Sequence, residues 1–488
     1  MPQTDLIGLV MPGRSIAGRF AISVGVVCLV LALGIGTFFF AAQAPSMDPI
    51  VPPPANSFAS DLVQRGATLA AIGNCDVCHT APGGREFAGG RALPTPFGTV
   101  YATNITPDTQ SGIGTWSQAA FKRAMRSGVR RDGAYLYPAF PYDHFTLISD
   151  EDNAALYAFL MTRAAVRVTP PANELPFPLN MRPVVFGWNL LFLRTGPFRA
   201  DTAHDETWNR GAYLVEGIGH CGACHTPRNF LTAEKSDRRL SGGESEGWTA
   251  YALNDASPAP VRWNAETFEH YLRFGFDQSH GTARGPMAEV ANDLHAVPQQ
   301  DIHAMAVHLA AQIGEAKPPS AKVEQQQAGQ NRGKTSAANS ADSQAAVSRA
   351  GGAPSSDEGA IIYLGACAGC HEGPRAMPFG GIDLALSSGV AGPTPTNLFN
   401  VVLYGLPAAE AVRVPVMPGF AAVMTDSQLV ALARYLRAHF TDKEPWQDVE
   451  QSLRAARRSV QAAIVRSAPS VRLNPPGTAQ RPQNEVQR

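Results

Sequence analysis

Residues 210–229 read RGAYLVEGIGHCGACHTPRN, a helix-like stretch that contains glycines and runs directly into Cys-x-x-Cys-His. The same pentapeptide form occurs twice more, as CDVCH at residues 75–79 and as CAGCH at residues 367–371. The first cysteines stand at positions 75, 221 and 367, so two equal intervals of 146 residues separate them. Self-similarity at a fixed interval indicates tandem repetition. The sequence therefore predicts one structural unit that occurs three times.

Two further helices are expected in each repeat. A middle helix ends at a glycine each time, in FKRAMRSG, FEHYLRFG and LFNVVLYG, as helices commonly do. An amphipathic helix with an N-cap signal closes each repeat, because apolar residues recur there at helical spacing. The closing helices are SDEDNAALYAFLM from Ser149, PQQDIHAMAVHLA from Pro298 and TDSQLVALARYLRAHF from Thr425. Three small helical units follow from this pattern, and the predicted fold class is all-α.

The N-terminal part of the chain contains a candidate membrane anchor. Residues 20–42 carry no charge and reach the length of about 20 residues that a bilayer core requires. Arg14 and Arg19 precede this stretch, which places the N-terminus in the cytoplasm and everything after about Pro45 on the outer side. A cleaved signal peptide is the alternative, since residues 42–44 read AQA. The apolar stretch exceeds the usual signal-peptide length of about 7 to 15 residues, so we expect a retained anchor.

Charge and cysteine usage exclude several classes of function. Lys+Arg number 40 and Asp+Glu 41, a balance that does not provide the basic surface needed for nucleic acid. Six of the 7 cysteines lie in the three motifs, and the seventh, Cys28, lies in the apolar stretch. No second Cys-x-x-Cys follows any motif at zinc-finger spacing. A thioredoxin-like pair or a structural disulfide would not explain the histidine that ends each motif.

Cys-x-x-Cys-His is the attachment signature of c-type haem. Two thiols at this spacing reach the vinyl groups on one edge of the porphyrin, and the adjacent histidine takes the proximal position on the iron. The sequence therefore predicts three covalently bound haem c groups. The attachment residues are Cys75, Cys78, Cys221, Cys224, Cys367 and Cys370, and the proximal ligands are His79, His225 and His371.

The second axial ligand of such a haem is commonly a methionine, which raises the reduction potential. Met287 in GPMAEV and Met417 in VPVMPGF stand beside prolines shortly before the closing helices of their repeats. We expect both methionines to lie in loops and to ligate the second and third irons.

The first repeat departs from this pattern. Phe140 in LYPAFPYDHF stands where the other repeats have methionine, and phenylalanine cannot ligate iron. Met125 and Met161 fall at expected helix-core positions. His144 is the best remaining candidate for the first iron, and the alternative of an ordinary surface histidine stays open. A His/His haem would have a lower potential than its Met/His neighbours.

With these residues in place, the chain resembles the multihaem cytochrome c subunits of membrane-bound periplasmic dehydrogenases. That family includes the partners of alcohol, gluconate and aldehyde dehydrogenases and of nicotinate-type molybdenum hydroxylases. The resemblance rests on residues 210–229, on FGTVYATNITPD at residues 97–108 and on LYPAFPYDHFT followed by DEDNAALYAFLMTR. GWTAYALN, SPAPVRW and HGTARGPM resemble the molybdenum-hydroxylase partners somewhat more than the quinoprotein or flavoprotein ones.

The resemblance implies that electrons leave a substrate-oxidising dehydrogenase subunit, pass through three haems and reach ubiquinone or a terminal oxidase in the membrane. It implies a location at the inner membrane with the haem domains facing the periplasm. After three haem units are subtracted, nothing remains for a quinoprotein propeller, a flavin domain or a molybdenum site. No GxGxxG at a strand–helix junction suggests a nucleotide cofactor. The chain is therefore not expected to be an enzyme on its own.

Two other functions remain open from the sequence. Because Phe140 cannot ligate iron, the first haem could have an open coordination position, which would suit a haem peroxidase. A cytochrome c module of a terminal oxidase would also carry such motifs.

The predicted architecture is three tandem cytochrome c-like haem domains behind an N-terminal transmembrane helix. The segment 316–357 is rich in Gln, Ser, Ala and Gly, which is typical of a flexible linker. The expected boundaries are a cytoplasmic N-terminus at 1–19, the anchor at 20–42, domains at 58–165, 205–315 and 358–442, linkers at 166–204 and 316–357, and a C-terminal tail at 443–488.

Overall fold

A computed structural model of the chain describes residues 16–314, 357–372, 380–407 and 414–467. The expectations for the cytoplasmic residues 1–15, for nearly all of the linker at 316–357 and for the end of the C-terminal tail lie outside the described residues.

Helices make up most of the ordered elements. In chain order they are α1 (Ile16–Ala41), α2 (Ser60–Ile72), α3 (Cys75–His79), α4 (Gln118–Ser127), α5 (Tyr142–Phe145), α6 (Asp150–Met161), α7 (Val184–Phe192), α8 (Glu206–Tyr213), α9 (Gly222–His225), α10 (Ala265–Phe274), α11 (Pro286–Leu294), α12 (Gln299–Gln312), α13 (Glu358–Ala366), α14 (Ala368–His371), α15 (Ser388–Ala391), α16 (Thr396–Tyr404), α17 (Asp426–Phe440) and α18 (Val449–Ser467). Short 3₁₀ turns lie at Ala55–Ser57, Ser236–Arg238 and Leu384–Leu386, and a π-helical turn at Leu214–Ile218 extends α8.

The described residues also contain three antiparallel hairpins. The fold is therefore mainly helical, but it is not all-α as the sequence predicts. The hairpins pair β1 (Ala92–Thr95) with β2 (Gly98–Tyr101), β3 (Gly243–Ser245) with β4 (Trp248–Ala250), and β5 (Phe276–Asp277) with β6 (Gly281–Thr282). In the first, Ala92 is opposite Tyr101; in the second, Gly243 is opposite Ala250. Each of these two hairpins follows a Cys-x-x-Cys-His motif along the chain.

The closing helices begin where the sequence predicts. The Ser149 side chain accepts a hydrogen bond from the backbone N–H of Asp152 and so caps α6. Thr425 caps α17 in a capping box with Gln428. Pro298 precedes α12, whose first residue is Gln299. Local capping therefore fixes two of the three helix starts independently of the rest of the fold.

One helix crossing recurs in all three repeats. The helix before each motif packs against the closing helix of the same repeat: α2 against α6, α8 against α12 and α13 against α17. A glycine stands at each crossing, and a Cβ atom there would overlap a backbone carbonyl of the closing helix. The overlapping pairs are Gly66 with Ala155, Gly211 with Ala304 and Gly359 with Ala431. The crossings therefore require glycine because the two backbones approach too closely for any side chain.

The apolar core has two main parts. One continuous cluster runs through the first two repeats and includes Leu69, Leu156, Leu214 and Met305. A second cluster belongs to the third repeat and is built around Tyr363 and the buried faces of α16 and α17. The first two repeats thus share a core, whereas the third has its own.

The C-terminal segment is more structured than the expected tail at 443–488. Its first part forms α18, which packs against α16 and α17. Val449, Leu453 and Ala456 are each 1% exposed and belong to the core of the third repeat. The boundary expected at residue 442 therefore falls inside a packed unit. The sequence feature that indicates α18 is the recurrence of apolar residues at helical spacing in this weakly basic segment.

Helix α1 is the candidate anchor. Within it, Ser23–Ala41 is long and apolar enough to cross a membrane, and none of that stretch is buried within the described part of the chain. Signal sequences meet the same criterion. Cys28 is exposed on this helix. The linker expected at 166–204 contains α7, which lies beside the end of α1.

Replacement of Gly359 by alanine tests the helix crossing. The added Cβ would overlap the carbonyl oxygen of Ala431, so α13 and α17 must separate and the free energy of unfolding should fall by about 1–3 kcal/mol. Gly365→Ala is the matched control on the same helix, because nothing lies within 4 Å of a Cβ there. The control should be neutral or stabilising by up to ~1 kcal/mol. Equal denaturation curves for the two variants would contradict the account.

Candidate functional site

The three motif histidines share one contact. The Nδ1 atom of His79 lies 2.6 Å from the carbonyl oxygen of Thr103, that of His225 lies 2.6 Å from Tyr251 O, and that of His371 lies 2.7 Å from Ile382 O. A carbonyl oxygen only accepts, so Nδ1 carries the proton and donates in each case. Nε2 is then the atom with a free lone pair, and it has no hydrogen-bond partner among the described residues. Metal-bound histidines are oriented by this kind of contact.

The chain path around each motif creates that contact. Residue Asn74, with φ of 50°, turns the chain from α2 into α3, and His220, with φ of 38°, does the same before the second motif. The hairpins then bring the carbonyls back over the motifs: Thr103 lies two residues after β2 and Tyr251 directly follows β4. In the third repeat the carbonyl of Ile382 accepts the hydrogen bond from the motif histidine, and the described residues of this repeat contain no hairpin.

Burial favours the neutral forms of the motif rings and thiols in the first two repeats. Burial lowers the pKa of His79 and His225, although the hydrogen bond to the carbonyl opposes this in part. Burial raises the pKa of Cys75 and Cys221 to about 12. All six motif cysteines are unpaired. The motif cysteines are thus available to bond to another group, and the neutral imidazoles of His79 and His225 are suited to bind a metal.

The second and third motifs line one cavity of about 400 Å³. Most of the residues around it are apolar, as is typical of a cofactor site. The structure thus brings together eight of the residues predicted from the sequence. They are Cys221, Cys224, His225 and Met287 from the second repeat and Cys367, Cys370, His371 and Met417 from the third.

The two methionines reach this cavity from different elements. Met417 lies in a loop, as expected, and pairs with Leu406 through two backbone hydrogen bonds of 2.8 and 2.9 Å. Met287 was expected in a loop but lies in the first turn of α11. Pro286 occupies the first position of that helix, where its missing N–H costs nothing, so the proline starts the helix instead of extending the loop.

Polar contacts fix the third repeat against the second. Asn397 forms two hydrogen bonds with the backbone of Thr249, donating to its carbonyl at 2.8 Å and accepting from its N–H at 2.9 Å. Asn400 donates to the carbonyl of Gly247 at 3.0 Å. Both asparagines lie on α16, and their partners lie in the β3–β4 hairpin. The hairpin that carries Tyr251 is thus also the contact surface for the third repeat.

Arg91 joins the first motif to the second repeat. Its guanidinium donates to the carbonyl of Val77, inside the first motif, at 3.2 Å. It also forms ion pairs with Glu289 at 3.2 Å and Glu246 at 3.4 Å. Burial alone would lower the pKa of Arg91, but the two carboxylates outweigh it and raise the pKa. Residue spacing gave no indication of this contact, because the partners are remote in sequence.

His144 does not face the first motif with a free nitrogen. Its Nδ1 lies 2.7 Å from the carbonyl oxygen of Glu216 and its Nε2 lies 2.7 Å from Glu234 Oε1. Both partners belong to the second repeat, and the ring also lies close to Gly222. Two acceptors on one ring favour the doubly protonated form, which has no lone pair for a metal. Ligation of the first iron by His144 therefore stays a prediction that this geometry does not support.

His280 is a residue of the cavity that the sequence did not single out. Its ring stacks on Trp263 with centroids 3.5 Å apart. Neither ring nitrogen has a hydrogen-bond partner in the described part of the chain, and the nearest carboxylate oxygen, of Asp277, is 4.0 Å away. Burial lowers the pKa of His280 to about 4. Arg284, on the same cavity wall, donates to the carbonyl of Gly405 at 3.1 Å and has no carboxylate partner among the described residues.

Comparison with a protein-family model matches residues 354–436 to the cbb3-type cytochrome c oxidase subunit III family. This match covers the third repeat.

Comparison with curated proteins matches most of the chain to subunits of dehydrogenases. One subunit of the nicotinate dehydrogenase of Pseudomonas putida is 43% identical over 403 residues, which are 82% of this chain and 32% of that protein. The fructose dehydrogenase cytochrome subunit of Gluconobacter japonicus is 33% identical over 86% of this chain and 88% of its own length. The gluconate 2-dehydrogenase cytochrome c subunit of Pantoea cypripedii is 36% identical over 84% of this chain and 90% of its own length. The chain thus spans about a third of the first relative and nearly all of the other two.

The His144–Glu234 pair predicts a pH dependence of stability. Burial alone would lower the pKa of His144, but the hydrogen bond and charge of Glu234 raise it above the ordinary value. Because the pKa of His144 is higher in the folded state than in the unfolded state, protonation of His144 stabilises the fold. This stabilisation is complete below the unfolded-state pKa of about 6.5 and is lost as the pH rises through the folded-state pKa. The His144→Asn variant should therefore lose ~1–3 kcal/mol at pH 6 and less at alkaline pH.

Denaturation of the parent and the variant at several pH values measures this difference. His303→Asn is the matched control, because His303 pairs with Glu269 at the surface with 51% of its side chain exposed. The control should change the unfolding free energy by well under 1 kcal/mol. A deficit for His144→Asn that does not depend on pH would refute the charged pair.

Proposed function

The chain belongs to the family of cytochrome c subunits of dehydrogenase complexes, and from this membership we propose that it binds three haem c groups and carries electrons from a partner dehydrogenase toward the respiratory chain. It is an electron-transfer subunit and not itself the dehydrogenase. The observation that supports the haem sites most directly is the shared Nδ1–carbonyl contact of His79, His225 and His371.

The residues of each motif fit a covalently bound haem c. Each repeat offers two unpaired thiols one helical turn apart and an imidazole whose Nδ1 donates to a backbone carbonyl and whose Nε2 has no hydrogen-bond partner in the described part of the chain. Bound haem c supplies one-electron redox chemistry at its iron. In our proposal the thioether residues are Cys75, Cys78, Cys221, Cys224, Cys367 and Cys370, and the proximal ligands are His79, His225 and His371.

Met287 and Met417 are the proposed second axial ligands of the second and third irons. Both line the same cavity as the proximal histidines of their repeats. Thioether ligation raises the reduction potential into a range suited to electron carriage. For the first repeat we name no second ligand, because both nitrogens of His144 are engaged by Glu216 and Glu234.

His280 and Arg284 supply the polar side of the cavity. Each haem carries two carboxylates, and buried carboxylates require hydrogen bonds or a cation. His280 offers unpartnered ring nitrogens fixed by stacking on Trp263, and Arg284 offers a half-buried positive charge. We assign both side chains to the haem carboxylates. They would hold the group in place and reduce the cost of its negative charge inside the protein.

The arrangement of the second and third sites supports electron carriage over substrate chemistry. Residues that would hold two haems line one cavity, so this arrangement would allow electron transfer between the second and third repeats without another cofactor. On the other side, Arg91 connects the first motif to Glu246 and Glu289 of the second repeat. The three proposed sites therefore form one connected series.

A molybdenum hydroxylase that oxidises an N-heteroaromatic substrate is the favoured partner. The supporting observation is the higher identity of 43% to the nicotinate dehydrogenase relative, against 33% and 36% for the fructose and gluconate relatives. Alcohol, aldehyde or gluconate dehydrogenases remain the alternative partner classes.

The acceptor is proposed to be ubiquinone or a respiratory oxidase in the inner membrane. Helix α1 would serve as the retained anchor, with the haem domains on the periplasmic side. The proposed domains are 58–165, 205–315 and 358–467, where the last boundary is moved from 442 because α18 packs into the third core.

A cytochrome c module of a terminal oxidase is a second candidate. The match of residues 354–436 to the cbb3-type oxidase subunit III family favours it. That match covers one repeat, whereas the dehydrogenase cytochrome subunits are matched over more than four-fifths of the chain. Copurification of a haem-copper subunit, in place of a dehydrogenase, would support this candidate.

Substrate-driven reduction of the intact complex tests the proposed function. The complex is purified from membranes, oxidised and mixed with the dehydrogenase substrate while haem absorption is followed. All covalently bound haem should become reduced and should become oxidised again when a soluble ubiquinone analogue is added. The same complex without substrate is the control. Haem that stays oxidised while the dehydrogenase turns over with an artificial acceptor would overturn the proposal.

A further inference from the structure

Helix α7 lies directly against the outer end of the proposed anchor. The ring of Phe186 lies 5.7 Å from that of Phe38, centroid to centroid, and a Cβ atom on Gly187 would lie 3.5 Å from the Phe38 ring. Phe38 is three residues before the last residue of α1, Ala41. Since a helix rises 1.5 Å per residue, α7 meets α1 within about 5 Å of its end.

The face of α7 that touches the anchor continues in two exposed leucines. Leu190 and Leu191 follow Phe186 and Gly187 by four residues, and residues four apart share one face of a helix. Leu190 is 63% exposed and Leu191 is 60% exposed. The anchor-facing side of α7 therefore presents a strip of apolar surface that the described residues do not cover.

The opposite face of α7 is fixed to the body of the protein. Trp188 donates from its indole N–H to the carbonyl of Leu231 at 3.0 Å. Asn189 accepts a hydrogen bond from the hydroxyl of Tyr142 at 2.7 Å. Val185 is buried in a small cluster with Val129 and Tyr135. These contacts fix which side of the helix points outward, so the exposure of the leucines is a property of the fold.

The charge around α7 suits a phospholipid surface. Residues 175–200 contain no acidic side chain, with Glu174 and Asp201 just outside them, and they include Arg194 and Arg199. Arg182 also lies in this stretch, but it is directed inward, where it donates to the carbonyl of Tyr135 at 2.7 Å. Arg194 and Arg199 are exposed just beyond the helix. Apolar residues that enter the interface next to arginines are the pattern of helices that lie on anionic membranes.

We infer that α7 is an interfacial helix whose Leu190–Leu191 face enters the outer leaflet of the membrane beside the anchor. The inference rests on the part of the proposed function that makes α1 a membrane span. Anchor and interfacial helix would together hold the protein at two points. The first repeat, against which α7 is packed, would then have a fixed height and tilt above the lipid surface.

Cysteine labelling of the full haem-loaded chain in nanodiscs of anionic phospholipid tests the inference. Leu190→Cys is introduced into a Cys28→Ser background, and its reaction rates with a charged and with an apolar maleimide are compared. The ratio of charged to apolar rates should be roughly tenfold lower than for Val423→Cys, because a lipid interface excludes a charged reagent. Val423 is the matched control, an exposed apolar residue in the third repeat with 73% exposure.

Native Cys28 on α1 distinguishes a failure of the inference from a failure of the anchor. If Cys28 excludes the charged reagent and Leu190→Cys does not differ from Val423→Cys, the anchor stands and the interfacial helix is refuted. If neither position is protected, both ideas are refuted. Protection of Leu190→Cys that needs the partner dehydrogenase and is absent in nanodiscs of the chain alone would identify a protein contact and overturn the lipid assignment.

Discussion

A hydrogen bond from an imidazole Nδ1 to a backbone carbonyl is the physical constraint that the three repeats have in common. It recurs at His79, His225 and His371 with almost the same length, and in each case no residue that the structure describes forms a hydrogen bond with Nε2. To make it, the chain must return over its own motif, which the β1–β2 and β3–β4 hairpins do in the first two repeats. The glycine crossings then hold the preceding helix close to the closing helix. Hairpin, crossing and motif together build the proposed ligand site.

The repeats are similar locally but are joined in different ways. The first two share a continuous apolar core, and their junction is reinforced by the Arg91 and His144 ion pairs. The third has a separate core, completed by α18, and meets the second across a cavity and two asparagines of α16. Both junctions join the proposed sites into one series. A carrier needs such a series, because electrons must pass between sites within one chain.

Local patterns in the sequence predict the repeats and the motif chemistry, since both depend on residues close together along the chain. The N-caps at Ser149 and Thr425 are of this kind. The hairpins were missed because their strands have two to four residues, too few to show an alternating pattern. His144 is predicted from its place in the loop after Phe140, and its contact with Glu234 could not be foreseen because that carboxylate is 90 residues away. His280 gave no signal at all, since only the fold places it in the cavity.

The ratio of covalently bound haem to polypeptide in the purified chain tests whether each of the three motifs holds a haem. The mass of the intact protein measures this ratio. Three variants, in each of which both cysteines of one motif are replaced by serine, assign each haem to its repeat. We expect three haems in the parent chain and two in each variant. A parent chain with two haems or fewer, or a motif variant that keeps the full complement, would contradict it.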